Sequence, residues 1–154
     1  MTTTMASSRD LKFKVHTKVG QPLAEVFEAV YDPGRLKGYF TTGGASAPLD
    51  EGTRAMWEFA DHPGPFPVDV IRMVRNELIA FEWDAQEGGY RTRVEMRFEA
   101  LDAKTTLVTI SESGWRDTPT GLESSYGNCQ GWSQMLSCLK AYVEHGINLR
   151  EGAY

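Results

Sequence analysis

Apolar and polar residues alternate along several stretches of the chain, which is the pattern of strands that bury one face. The stretch 11–19 alternates apolar residues with lysine and histidine, and the stretch 90–101 sets Thr92, Val94 and Met96 against charged neighbours. The pattern predicts strands at residues 11–19, 53–60, 66–75, 78–83, 90–101 and 105–112. Turn-forming residues separate them at positions 62–65, 76–77, 87–89, 102–104 and 114–115.

A period of three to four residues predicts helices in three places. Pro22 suits the first turn of a helix over residues 22–30, Asp32-Pro33-Gly34 ends it, and a short second helix is predicted at 35–40. The segment 121–145 is the longest. One stripe of this segment is apolar and contains Trp132, Met135, Leu136, Leu139, Tyr142 and Val143. Its first part is small and polar, with Gly127 and Gly131 one turn apart, so half of this helix is predicted to pack and half to leave room.

The order of these elements predicts an α+β fold, because strands cluster apart from the helices. A twisted antiparallel sheet bends, and one long C-terminal helix can close its concave side. We expect one domain at residues 11–148, with a flexible N-terminal tail at 1–10 and a C-terminal tail at 149–154.

Composition excludes several classes of protein. A net charge of −5 with no basic cluster argues against nucleic-acid binding. No run of 18 apolar residues is present, which excludes a membrane span, and residues 1–10 do not resemble a secretory signal. Cys129 and Cys138 lie about 13 Å apart along one predicted helix, too far for a disulfide, so a reducing, cytoplasmic setting is expected.

The chain carries no recognisable catalytic motif. A phosphate-binding loop, a dinucleotide-binding glycine pattern and a His-Glu-x-x-His motif are all missing from the sequence. The histidines His16, His62 and His145 are predicted on a wet strand face, in a turn and near a helix end. The sequence therefore implies no metal and no organic cofactor.

Large aromatic residues are the better candidates for function. With one polar helix half beside them, they suit an apolar ligand pocket with a few polar groups, and equally a core that they fill themselves. The candidate ligand-binding residues are Phe40, Trp57, Phe59, Val70, Phe81, Trp83, Met96, Phe98, Ile110, Glu112, Tyr126, Cys129 and Trp132.

Two charged residues bear on this choice. Strand parity points Glu112 inward with Val108 and Ile110, and points Arg72 inward with Val70. A buried charge without a partner is costly, so one hypothesis pairs the two side chains in the pocket. The favoured alternative is a β-bulge that turns Arg72 outward.

Motifs along the chain resemble a known family. Residues 22–30 followed by Asp32-Pro33 and Tyr39-Phe40, the strand Phe81-Glu82-Trp83, and the segment from Gly131-Trp132 to 146 are similar to the domain named after the activator of the heat-shock protein 90 ATPase. That domain belongs to the START-like superfamily, also called SRPBCC or Bet v-like. The resemblance covers roughly residues 11–146. It implies a helix-grip fold, in which a curved sheet of six or seven antiparallel strands wraps a long C-terminal helix, with two short helices after the first strand.

The resemblance implies three functions between which the sequence does not decide. The favoured one is binding of a small apolar or aromatic molecule in a closed cavity of several hundred Å³ between sheet and helix, by a monomer or weak homodimer. The second is a polyketide cyclase-like or isomerase-like enzyme that uses Glu112, Tyr126 or Cys129. The third is a cochaperone-like or stress-response module. It is favoured least because the chaperone activators resemble this chain only in their C-terminal domain.

Overall fold

The computed structural model describes residues 9–153, so most of the predicted N-terminal tail at 1–10 lies outside the described residues. The elements follow one another as β1 Leu11–Val19, α1 Leu23–Tyr31, α2 Pro33–Leu36, β2 Gly44–Ala45, β3 Arg54–Phe59, β4 His62–Val74, β5 Leu78–Asp84, β6 Arg91–Asp102, β7 Thr105–Trp115 and α3 Pro119–His145.

All seven strands form one antiparallel sheet in the order β1-β7-β6-β5-β4-β3-β2. The sheet is curved, and the long helix α3 packs against it, mainly against β1 and β7. The helices α1 and α2 follow β1 and pack on the same core. This arrangement confirms the predicted α+β class and the helix-grip fold.

Helix α3 begins two residues before its predicted start. Thr118 caps it by accepting a hydrogen bond from the Gly121 backbone nitrogen at 3.0 Å, and Pro119 occupies its first turn. Gly121 is required by close packing, because an added Cβ would lie 2.0 Å from the carbonyl oxygen of Arg116. Gly146 ends the helix in a left-handed conformation at φ 69°.

Two predicted turns are strands in the structure. Residues 62–65 form the start of β4, which pairs with β3 as far as His62 opposite Phe59. Gly114 and Trp115 end β7, where Trp115 pairs with Leu11 of β1. The prolines of β4 are tolerated because β5 pairs with β4 only from Asp69 onward, so the earlier residues have strand neighbours on one side only.

A β-bulge in β4 decides the position of Arg72. The register with β5 shifts between Val70, which pairs with Phe81, and Arg72, which pairs with Ala80. The shift turns the Arg72 side chain to the solvent-exposed face. The hypothesis of an Arg72–Glu112 pair is therefore wrong, and the bulge predicted as its alternative is confirmed.

The core lies between the concave face of the sheet and the three helices. On the stripe of α3, Trp132, Met135, Leu136 and Leu139 are almost fully buried, whereas Tyr142 and Val143 are partly buried and pack against the core. The inward residues of β6 are buried and their charged neighbours lie on the outer face, as the alternation predicted.

Candidate functional site

Glu112 is a buried carboxylate at the centre of a four-donor hydrogen-bond network. It lies on the inner face of β7 and is 1% exposed. Its Oε1 accepts a hydrogen bond from Trp132 Nε1 at 2.8 Å, and its Oε2 accepts one from Trp83 Nε1 at 3.0 Å. Thr92 Oγ1 lies 2.7 Å from Oε2, and Asn128 Nδ2 lies 3.1 Å from both carboxyl oxygens. We call these five residues the Glu112 network.

The Glu112 network joins the long helix to the sheet. Trp83, Thr92 and Glu112 come from the neighbouring strands β5, β6 and β7, whereas Asn128 and Trp132 lie one turn apart on α3. A buried charge is tolerable only when hydrogen bonds replace its lost hydration, and here four donors do so. The network therefore fixes the position of α3 over the concave face.

The electrostatics of Glu112 combine two opposing effects. Burial raises the pKa of its carboxyl group, and the four hydrogen bonds oppose that rise without cancelling it. No lysine or arginine is among its hydrogen-bond or ion-pair partners within residues 9–153. Its charge is therefore stabilised by dipoles alone.

A cavity of about 180 Å³ lies on the outer side of this network, between α3 and the ends of the sheet. The indole rings of Trp83 and Trp132 form one wall, stacked with centroids 5.5 Å apart and planes at 27°. Its lining residues are Phe40, Phe59, Trp83, Gly127, Asn128, Gly131, Trp132, Gln134 and Arg150. Glu112 is not among them, because Trp83, Asn128 and Trp132 separate it from the cavity.

The other predicted site residues do not line this cavity. Those in the core, where they are 5% exposed or less, are Trp57, Val70, Phe81, Met96, Phe98 and Ile110. The ring of Trp57, for example, contacts the rings of Phe40, Phe66, Phe81 and Trp83. Aromatic rings therefore fill most of the interior, and the cavity is smaller than the several hundred Å³ that the sequence suggested.

Two candidates on α3 lie away from the cavity wall. The prediction that Tyr126 points inward is wrong, because 63% of this residue is exposed. At 3.6 residues per helical turn, the six positions between Tyr126 and Trp132 span more than one and a half turns and place the two side chains on different faces of α3. Tyr126 therefore points outward. Cys129 is half-buried and does not contact the cavity.

Sequence reasoning missed three lining residues. Asn128 could have been found, since it lies one helical turn before Trp132 and so shares its face. Gln134 could have been found in the same way, since it lies three positions after Gly131 and seven after Gly127 and so shares their face. Arg150 lies in the segment assigned to a C-terminal tail, where no periodicity marks it.

Arg150 closes one side of the cavity. Its guanidinium lies 4.4 Å from the centroid of the Phe59 ring and 5.8 Å from that of Phe40. Its Nη2 and Nε atoms lie 2.9 Å and 2.8 Å from the carboxylate of Asp61. The side chain is only 12% exposed, so the segment after α3 folds back over the sheet end.

A larger concavity of about 530 Å³ lies on the outer face of β1, β6 and β7. Its lining residues are Lys12, Phe13, Lys14, Arg93, Glu95, Ser111, Glu112 and Ser113, of which Phe13 is the one aromatic residue. It is a groove on the wet face of the sheet. We therefore regard the smaller, aromatic cavity as the candidate site.

The described residues provide neither a metal-binding cluster nor a membrane-spanning helix. Across residues 9–153, no group of three or more His, Cys, Asp or Glu side chains is placed to hold a metal ion. Within the same residues, no helix has the length and apolar character needed to cross a membrane.

Solved structures share this fold over most of this chain. The protein SSP2350 from Staphylococcus saprophyticus is 30% identical, with a TM-score of 0.74 over 90% of this chain and 96% of that chain. DynU16, described as a putative protein in the dynemicin biosynthetic locus, is 26% identical with a TM-score of 0.77 over 91% of this chain and 49% of that chain. Aha1 from Colwellia psychrerythraea, a dimer in solution, is 18% identical with a TM-score of 0.71 over 88% and 97%.

Sequence comparison gives the family. No curated protein sequence matched the chain. The family described as activator of Hsp90 ATPase homolog 1-like protein matches residues 21–144, which include both helices after β1, the strands β2 to β7 and nearly all of α3. This match and the structural similarity confirm the resemblance seen in the motifs, and the chain belongs to the activator of Hsp90 ATPase homolog 1-like family of START-like domains.

Proposed function

We propose that this protein binds a small apolar or aromatic molecule in the cavity between α3 and the sheet. The observation that carries the proposal is the cavity itself, walled by the rings of Phe40, Phe59, Trp83 and Trp132. Aromatic walls with a few polar groups at the rim are the usual construction of small-molecule sites.

The volume limits the ligand. Drug-sized ligands occupy pockets of about 300–1,000 Å³, whereas a protein cavity of about 150 Å³ accommodates benzene. A cavity of about 180 Å³ thus suits one substituted aromatic ring or a molecule of that size. A longer lipid would have to displace side chains.

Two glycines support the proposal. Gly127 and Gly131 lie inside α3 and line the cavity, and a Cβ added at either would meet no atom within 4 Å. A glycine inside a helix costs about 1 kcal/mol relative to alanine. Packing within the protein therefore does not require these glycines, whereas a ligand that needs the space would.

One structural relative lends support to a small-molecule role. DynU16, 26% identical to this chain, is encoded in a biosynthetic locus for dynemicin. A ligand-binding or substrate-binding cavity is in keeping with that setting. A shared fold does not by itself imply a shared function, so the proposal rests on the residues of the site.

Catalysis is supported less than binding. An acid–base mechanism requires a titratable side chain that can reach the substrate. Among the residues lining the cavity, Arg150 is the one titratable group, and it is engaged by Asp61. Glu112 lies behind the indoles, and neither Tyr126 nor Cys129 lines the wall.

The cochaperone-like role is favoured least, because few large apolar residues of the described chain are exposed. The exposed large apolar residues of the described chain are Leu101, Tyr126, Ile147 and Leu149, which lie on β6, on α3 and after α3. A binding face would need a contiguous patch of a few hundred Å². We retain the prediction of a monomer or weak homodimer in a cytoplasmic setting, which sedimentation and fractionation can test.

Native mass spectrometry of the purified protein, followed by denaturation and extraction, tests the proposal. We expect a bound small molecule on the wild type that is lost in Gly131→Leu, since that side chain would occupy the cavity. Ser133→Leu is the matched control, because position 133 is exposed on the same helix. A molecule retained equally by all three proteins would contradict the proposed location.

A further inference from the structure

The cavity offers a hydrogen-bond acceptor whose orientation is fixed from behind. Asn128 lines the cavity, and its amide nitrogen lies 3.1 Å from both oxygens of Glu112. Because the carboxylate accepts hydrogen bonds, the amide must present its nitrogen to Glu112. The carbonyl oxygen Oδ1 then lies at the other end of the planar amide group, away from Glu112.

This orientation does not depend on the protonation state of Glu112. Each carboxyl oxygen already accepts an indole N–H, from Trp132 or Trp83, and an indole can only donate. A proton on Oε2 would be donated to the Thr92 hydroxyl 2.7 Å away. Asn128 would still donate its amide N–H, so its Oδ1 would keep its orientation.

The carbonyl oxygen of Asn128 is available to a ligand. Within the described part of the chain it accepts no hydrogen bond, and it is not one of the buried atoms left without a partner. The remaining polar groups of the wall are less selective. Gln134 can donate or accept through its amide, and Arg150 is engaged by Asp61.

We propose that the site selects a small, non-anionic aromatic molecule that carries a hydrogen-bond donor, such as a phenolic hydroxyl or a ring N–H. The ring stacks on the wall formed by Trp83 and Trp132, and the donor reaches Asn128 Oδ1. Glu112 acts as the positioning residue that holds this acceptor toward the cavity. The inference rests on the proposed function and specifies the ligand class of the same site.

The charges around the cavity disfavour an anionic ligand. Arg150 and Asp61 form an ion pair at its rim, so this cation is already compensated. The negative charge of Glu112 lies behind Asn128 and the indoles. A carboxylate on the ligand would have to compete with Asp61 for Arg150 and would approach the like charge of Glu112, which is unfavourable.

The test uses phenol, toluene and anisole as probes of similar size, of which phenol alone has a donor. Each is titrated against the wild type, Asn128→Ala, Gln134→Leu and Gly131→Leu, with the indole N–H signals of Trp83 and Trp132 followed by NMR. The quantity compared is the ratio of the phenol to the toluene affinity within each protein, which cancels the general effect of enlarging the cavity.

We expect Asn128→Ala to lower the phenol-to-toluene ratio about fivefold, as for the loss of one hydrogen bond, while the anisole-to-toluene ratio stays within about twofold. Gln134→Leu should leave both ratios unchanged. An unchanged phenol ratio in Asn128→Ala, or a loss of phenol preference in Gln134→Leu instead, overturns the assignment of Asn128 but not the cavity. If no probe binds the wild type, or all bind Gly131→Leu equally well, the proposed function fails with it.

Discussion

The Glu112→Gln substitution removes one acceptor oxygen from the Glu112 network and leaves the size of the side chain nearly unchanged. In the wild type, Trp132 and Trp83 each donate to a different carboxyl oxygen, at 2.8 Å and 3.0 Å. A glutamine has one carbonyl oxygen, so one indole N–H would face an amide N–H₂ group. The Thr92 hydroxyl can rotate and accept from that amide, whereas an indole cannot.

The magnitude follows from the groups left without partners. A buried donor without an acceptor costs about 1–3 kcal/mol, and the surviving hydrogen bonds lose the roughly 1 kcal/mol that a charged acceptor adds. The neutral side chain regains part of the cost of burying a charge. We therefore expect Glu112→Gln to lower the free energy of unfolding by about 2–3 kcal/mol.

Urea unfolding followed by circular dichroism measures this change, provided that the slope of unfolding free energy against urea stays constant. Glu99→Gln is the matched control, because Glu99 is exposed on the neighbouring strand β6, and we expect a change within about 0.5 kcal/mol. If Glu112→Gln unfolds at the same urea concentration as the wild type, the four donors do not stabilise a carboxylate and the account of the network is wrong.

Three further changes test separate parts of the site. Gly131→Ala should raise the free energy of unfolding by about 1 kcal/mol, since its Cβ meets no atom, and a loss of stability by calorimetry would show hidden crowding. Thr92→Val should raise the pKa of Glu112 further, because the Thr92 hydrogen bond lowers it; a carboxyl ¹³C titration showing a fall would refute this. Burial raises the pKa of Glu112 in the folded protein above its pKa in the unfolded chain. Protonation of Glu112 therefore stabilises the fold fully at a pH below the unfolded-state pKa, and this stabilisation is lost as the pH rises through the folded-state pKa. Arg150 covers the ring of Phe59 at the rim of the tryptophan-walled cavity, so Arg150→Ala should open this rim and increase acrylamide quenching of tryptophan fluorescence. Unchanged quenching would contradict the role of Arg150 as a cover.

Local patterns predicted most of the fold because its strands have one wet face. The alternation in β6 identified the buried Val94, Met96 and Phe98 directly, since charged residues occupy every intervening outer position. The prediction of a turn at residues 62–65 was wrong because proline and glycine favour turns. Only the strand register shows that this part of β4 has a strand neighbour on one side, where proline is tolerated.

The candidate site was predicted only in outline. Parity placed Glu112 inside, and the polar half of α3 indicated free space beside Trp132. The four partners of Glu112 come from three elements, β5, β6 and α3, and no local pattern records which donors meet across them. The volume of the cavity also could not be predicted from the sequence, because it depends on how the ring of Trp57 packs against Phe40, Phe81 and Trp83.

The most direct test of the account is the position of a bound probe. Intermolecular nuclear Overhauser effects from the methyl group of toluene can be measured in the wild-type protein at a saturating concentration. The account predicts contacts to the rings of Phe59, Trp83 and Trp132, which wall the cavity. Contacts confined to the outer groove beside Lys12 and Phe13, or no saturable contacts at all, would contradict it.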